Sequence, residues 1–170
     1  MSASRAALSP HTTDTGQVAL YGATITWHLG PDTPFSTSSY NRDHEWTFPG
    51  GEVVSASASP HYLGAASRVS PEEALIASLS SCHMLTFLAL AANKGLHVLS
   101  YLDRASGLLA SNAAGQVAIT EIALRPRVVF DDDAMPDDTL RALHQQTHEQ
   151  CFIANSLTAR IVVEPDFARR

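Results

Sequence analysis

The sequence predicts an α+β domain in which β-sheets surround one long buried helix. Three observations predict it. A clear helix start precedes a run from Ala74 to Ala92 with no charged residue; short β-branched and aromatic stretches flank that run; and the element order is strands, long helix, strands, helix, strand. The helix is expected from Ser70 to Gly95, with Ser70 as N-cap, Pro71 at the first helical position and Glu73 closing a Ser-x-x-Glu capping box. Ala, Leu, Ile, Met and Phe recur on every side of it, so it should be buried all round, by sheet or by a second subunit. Its length would also suit a membrane span, but Ser78, Ser80, Ser81, His83 and Thr86 dilute it, and no basic flank or second span accompanies it.

The other elements follow in order. Residues 1–16 read as a flexible tail, and residues 17–170 as a single domain. VALYGATITWH, from Val18 to His28, reads as a strand. Gly30, Pro31 and Pro34 then open a loop through SSYNRDHEW. Strands at Glu45 to Phe48 and Glu52 to Ser59, joined by the Pro49-Gly50-Gly51 turn, complete a β-meander. Beyond the helix, Val98 to Leu109 and Gln116 to Phe130 alternate as two strands of a hairpin that turns at Ser111 to Gly115. A second helix runs from Leu140 to Gln150, with its start at Pro136 among Asp131, Asp132, Asp133, Asp137 and Asp138. The spacing of those aspartates is not that of a calcium loop, and carboxylates at a helix start are favoured by its dipole. Cys151 to Leu157 continues or turns from this helix, and Arg160 to Val163 is a closing strand.

Composition narrows the function. A formal charge of -6 with only 11 basic residues argues against nucleic acid or an anionic membrane as partner, leaving a small neutral or apolar ligand. Residues 1–16 lack an apolar leader segment, so the protein is expected in the cytoplasm. In that reducing compartment Cys82 and Cys151 are candidates for redox or catalytic chemistry rather than scaffolding; two inert buried thiols are the alternative.

A reactive cysteine needs a positive charge or donor to hold its thiolate, and a route to solvent. Cys82 lies in mid-helix, far from the helix N-terminus, so the charge must come from elsewhere. Arg42 and Arg68 are the candidates, and Glu72 could orient either through a bidentate pair. Glu72 stands about 15 Å along the axis and about 80° around it from Cys82, too far to touch within one helix. It is either a dipole-favoured acid of the first turn or a partner for a cysteine on another chain. His144, His148 and Cys151 share a spacing that resembles metal ligands on one helix face, with Cys82 or His83 needed to complete a zinc site. A Cys/His hydrolase pair is a further alternative, but no nucleophile-elbow glycines flank Cys82.

The stretches SPEEALIASLSSCHM and HEQCFIANSL resemble those of the OsmC/Ohr family, the osmotically inducible and organic hydroperoxide resistance proteins. The resemblance runs from about Thr24 to Pro165 and rests on a Pro-Glu pair ten residues before a helical cysteine together with a late second cysteine. It implies an intertwined homodimer with helices at the centre and active sites at the subunit interface. It also implies reduction of organic hydroperoxides by paired cysteines without metal or flavin, with an external dithiol as reductant. By the family's pattern Cys82 is the attacking thiol, Cys151 the resolving thiol and Glu72 the carboxylate that orients an arginine. That arginine is placed by position on Arg42, with Arg68 as rival. Met84, Leu85 and Phe152 would form an apolar pocket for the alkyl group. Phe152 stands where the commonest family motif has proline, which marks an OsmC-like branch. A dimer that binds an apolar small molecule at the same interface without catalysis is the competing expectation.

Overall fold

A computed structural model describes residues 19–131 and 136–166, so the expected tail at 1–16 and the aspartates Asp132 and Asp133 lie outside the described residues. The chain divides into two compact units, Met1–Val69 and Ser70–Arg170.

Among its described residues the first unit holds three antiparallel strands, β1 (Thr24–Thr26), β2 (His44–Thr47) and β3 (Val53–Ala56), in that spatial order. This is the expected meander, with a shorter first strand. Only Thr24 to Thr26 find ladder partners, because β2 is itself just four residues long before Phe48 enters the turn. That turn is closed by Gly51 N–H donating to the Phe48 carbonyl at 2.9 Å, and by Phe48 N–H donating to Glu52 O at 2.9 Å. After β3 the chain folds back on itself. Gly64 passes so close to the backbone of Ala58 that a Cβ there would sit 1.6 Å from the Ala58 carbonyl oxygen, a position only glycine can occupy.

The second unit begins with α1 (Pro71–Asn93) and its expected start: the Ser70 hydroxyl accepts from Glu73 N–H, and the Glu73 carboxylate accepts from Ser70 N–H. Gly95, at φ +70°, ends it, with Gly95 N–H bonded to Ala92 O and Leu96 N–H to Ala91 O. The two expected long strands are each broken in the middle. They form β4 (Val98–Asp103) and β5 (Ser106–Ser111), then β6 (Val117–Leu124) and β7 (Pro126–Phe130), with β5 paired to β6 and β4 to β7. The hairpin survives as two sheets. Its break has a chemical cause: Asp103 Oδ1 accepts from Arg125 N–H at 2.6 Å, taking that donor out of the ladder, and Pro126 brings none. The second helix, α2 (Asp137–Gln150), and β8 (Arg160–Val163) follow, β8 joining β6 in parallel.

Of the helix expected to be covered by sheet or by a second subunit, a single chain covers one side. The buried residues of α1 are Leu79, His83, Phe87 and Ala91, a single stripe with a period of four. The stripe packs against α2 and strands β4, β5 and β6. On the far side Ser78, Ser81, Leu85, Ala89 and Ala92 are exposed. Strands of two small sheets and one short helix cover that one buried side. Length and hydropathy alone would let α1 cross a bilayer, but its packed stripe is that of a core helix.

Two apolar clusters fill this unit. One contains Leu79, Ile122, Leu124, Cys151 and Ala154; the other contains Phe87, Ala91, Val128, Phe130 and Leu143. Along both helices the buried polar residues His83, His144 and Thr147 fall between them. The interior is therefore apolar, polar, apolar along the helices.

Candidate active site

Cys151 occupies the C-cap of α2, fully buried, and Cys82 packs against the same cluster from α1 while keeping partial exposure. Both are free thiols. The Cys151 sulfur accepts from Ala154 N–H at 3.5 Å. Burial first, and then the hydrogen bond with Cys82, push the Cys151 thiol up to about 11. The structure thus brings together the two cysteines singled out in the sequence, and it makes them unequal. Cys151 is held as a protonated, water-excluded thiol beside a more accessible one.

Glu72 lies in the first turn of α1, with its Oε2 buried and without a hydrogen-bond partner. An orphaned carboxylate oxygen is costly unless something pairs with it. Both candidate arginines belong to the first unit, and each is engaged there. Arg42 donates to the carbonyls of Tyr40 and Thr37 and lies 3.9 Å over the Tyr40 ring. Arg68 pairs with Asp43 at 3.0 Å.

The three expected pocket residues part company. Met84 is about 160° around α1 from Cys82, and lines a cavity of about 490 Å3 with Ile76, Ser80, Tyr101, Leu102 and Asp103. Leu85, one helical turn from Cys82, is 61% exposed, and Phe152, beside Cys151, is 82% exposed. Within one chain they do not make a common pocket.

The polar layer next to the thiols holds residues whose arrangement the sequence reasoning missed. His83 Nε2 and His144 Nδ1 are 3.2 Å apart, with the rings nearly parallel. Phe87 stacks on His144 at 4.4 Å. Burial lowers His83 to about 4, against a partial pull upward from Asp103, and His148 lowers it further. Burial and the neighbouring His83 lower His144 to about 3. Both imidazoles are neutral at pH 7. The nearby Tyr101 hydroxyl is buried without a partner, and burial and Asp103 push it well above the usual phenol range. Asp103 accepts from the Ser80 hydroxyl at 2.5 Å, which ties β4 to α1. The signal for this layer was His83 itself, an imidazole within the Leu79-His83-Phe87-Ala91 stripe. Among the described residues no group of three or more His, Cys, Asp and Glu is disposed to hold a metal ion.

An α+β unit with one cysteine in a long central helix and a second at the end of the next helix defines a two-thiol protein. Residues 64–166 match the family model described as OsmC-like protein, and the chain belongs to that family. It is similar in structure to an OsmC-like protein of unknown function from Vibrio cholerae, at 42% identity and a TM-score of 0.84, over 87% of this chain and 99% of that one. An organic hydroperoxide resistance protein from Elizabethkingia anophelis shares the fold at 16% identity and a TM-score of 0.66, over 88% and 95% of the two chains. The uncharacterized protein YmaD of Bacillus subtilis is 23% identical over 127 residues, 73% of this chain and 84% of its own length.

Proposed function

We propose that this protein is a cysteine-based peroxidase that reduces organic hydroperoxides to alcohols in the cytoplasm. The observation that carries the reading is the inequality of the two thiols: Cys82 is partly exposed, and Cys151 is buried, protonated and packed against it. Solved structures named organic hydroperoxide resistance proteins share the fold, which supports the same reading.

The chemistry follows from that asymmetry. The Cys82 thiolate attacks the outer peroxide oxygen, the O–O bond breaks, and the departing alkoxide takes a proton to become the alcohol. Cys82 is left as a sulfenic acid. The Cys151 thiol then attacks that sulfur; the S–S bond forms, and the hydroxyl leaves with the Cys151 proton as water. An external dithiol returns both cysteines to thiols. Arg42, or Arg68 in its place, supplies the charge beside Cys82, and the orphaned Glu72 carboxylate orients it through a forked pair.

The working form is a homodimer. Leu85 and the exposed flank of α1 need a cover that one chain does not provide, and Phe152 stands out beside Cys151 in the same way. A second chain laid over them would close an apolar pocket around Cys82. Such a pocket selects alkyl hydroperoxides over hydrogen peroxide, since each buried methylene contributes about 0.8 kcal/mol. The rival reading, an apolar-ligand dimer without thiol chemistry, uses the same exposed residues and differs only in what happens at sulfur. Trapping separates the two. In Cys151→Ser the sulfenic acid on Cys82 has no resolving partner, so cumene hydroperoxide followed by dimedone should add one dimedone per chain. No adduct on Cys82 would leave only the binding protein.

A further inference from the structure

The proposed cycle needs a proton at a place that water does not reach. When an external thiolate opens the disulfide at Cys82, the more accessible sulfur, Cys151 departs as a thiolate inside the apolar cluster. Burial of that site strongly favours the protonated thiol. The leaving sulfur must therefore be protonated where it sits, and a donor must connect it with solvent.

His148 has that placement. It is three residues before Cys151 on the same face of α2, a spacing that sets Cβ atoms about 5–6 Å apart. Its Nδ1 is buried and has no hydrogen-bond partner. The residue also lines a cavity of about 250 Å3 with Arg141, Gln145, Ile161 and Val163, and the first two of these are exposed. One edge of the ring is thus turned into the protein and the residue borders a route outward. An imidazole is the side chain suited to passing protons near neutral pH. The other two imidazoles of the layer are poor substitutes, because His83 and His144 bond to each other and are held neutral by burial. The titratable and charged groups that face His148 are His144 and Arg141 on α2, Cys151 at its end and His83 from α1; the cavity residues around β8 are Ile161, Val163 and Pro165.

We propose that His148 is the proton shuttle of the resolving thiol, carrying a proton from the α2–β8 cavity to the Cys151 sulfur as the disulfide is reduced. The inference rests on the thiol-peroxidase reading. In the first step an external thiolate bonds to Cys82 and the Cys82–Cys151 bond breaks, its electron pair leaving on Cys151. His148 gives its proton to that sulfur and regains one from solvent through the cavity. The second thiolate of the external dithiol then attacks the first reductant sulfur, the dithiol closes into its own disulfide, and Cys82 leaves as a thiolate. The dithiol supplies both electrons.

The test uses the full-length protein, with the disulfide made by diamide rather than peroxide. Reduction by dithiothreitol is followed by rapid quench and thiol trapping. His148→Ala should reduce at least tenfold more slowly than wild type at pH 7, and free imidazole, entering the space left by the missing ring, should restore most of the rate in a saturable way. His148→Gln keeps the size of the ring and should be slow without responding to imidazole. A wild-type rate in both variants, or a slow His148→Ala that imidazole does not rescue, would overturn the shuttle. Failure of diamide to form a Cys82–Cys151 disulfide in the wild type would instead remove the peroxidase reading, and the shuttle with it.

Discussion

The two sides of α1 have nearly the same amino-acid character and opposite fates. Leu79, His83, Phe87 and Ala91 are buried against the sheets and α2, whereas Ser78, Leu85, Ala89 and Ala92 on the other side face outward. Hydrophobicity is therefore a poor guide to which face of this helix a single chain covers. The stripe that is covered carries the one imidazole, placed to meet His144 on α2; the exposed residues from Ser78 to Ala92 carry only apolar and hydroxyl groups. Cys82 stands between the two faces, one edge in the core and the other toward the open side. A nucleophile that must meet a substrate and also a buried partner thiol needs such a boundary position.

The largest test of this contrast is removal of the core ring. Phe87→Ala should cost about 3–5 kcal/mol, because Phe87 is fully buried between Tyr101, Phe130 and His144 and the cavity left could close only in part. Urea unfolding measures it. A loss below 1 kcal/mol would mean that the covered stripe is no core.

Acid should probe the same stripe more gently. His83 and His144 have folded values of about 4 and about 3, below the 6.5 of the unfolded chain. Between pH 6.5 and 4 the unfolded chain thus binds more protons than the folded one. Stability is full above about 6.5 and is lost as pH falls through that window, by about 3 kcal/mol if one imidazole of the pair governs, at about 1.4 kcal/mol per pKa unit. Urea midpoints at a series of pH values give the curve. His83→Leu with His144→Phe should flatten it, and an unchanged slope in that double variant would assign the acid sensitivity elsewhere.

The smallest expected effect on a folded chain is on the open side. Leu85→Glu should change the stability of the isolated chain by no more than about 0.5 kcal/mol, as exposed positions do. It should nevertheless halve the mass seen by sedimentation, since it places a charge in the proposed subunit contact. A dimer unaffected by Leu85→Glu would put the interface on another surface.

How much of this could be read in the sequence depended on whether the cause was local. The capping box at Ser70 and Glu73 and the meander turn at Phe48 to Glu52 arise from neighbouring residues, and both form as expected. The family resemblance likewise rested on residues that can be quoted in line, and it holds. The break in the long hairpin was not legible, because it depends on Asp103 capturing the backbone N–H of Arg125 across two strands. Which side of α1 a single chain covers was not legible for a related reason: a run without charge reports what a helix avoids, but not which neighbour is available to cover it. The same holds for His83, whose partner His144 is 61 positions away. Of the expected site, the two cysteines could be singled out because thiols carry their chemistry in their identity, and the structure packs them against one cluster. Met84 lies two residues from Cys82 in sequence, and within one chain that spacing puts it on the opposite flank of the helix, in a cavity with Tyr101 and Asp103.

The central claim is that Cys82 and Cys151 act as one redox pair toward an organic hydroperoxide, and anaerobic thiol counting tests it most directly. One equivalent of cumene hydroperoxide per chain should lower the free thiols from two to none in the reduced wild-type protein, with one equivalent of alcohol formed and both thiols recovered by dithiothreitol. Cys82→Ser should keep its single remaining thiol throughout. Two unreacted thiols in the wild type after exposure to the peroxide would contradict the account.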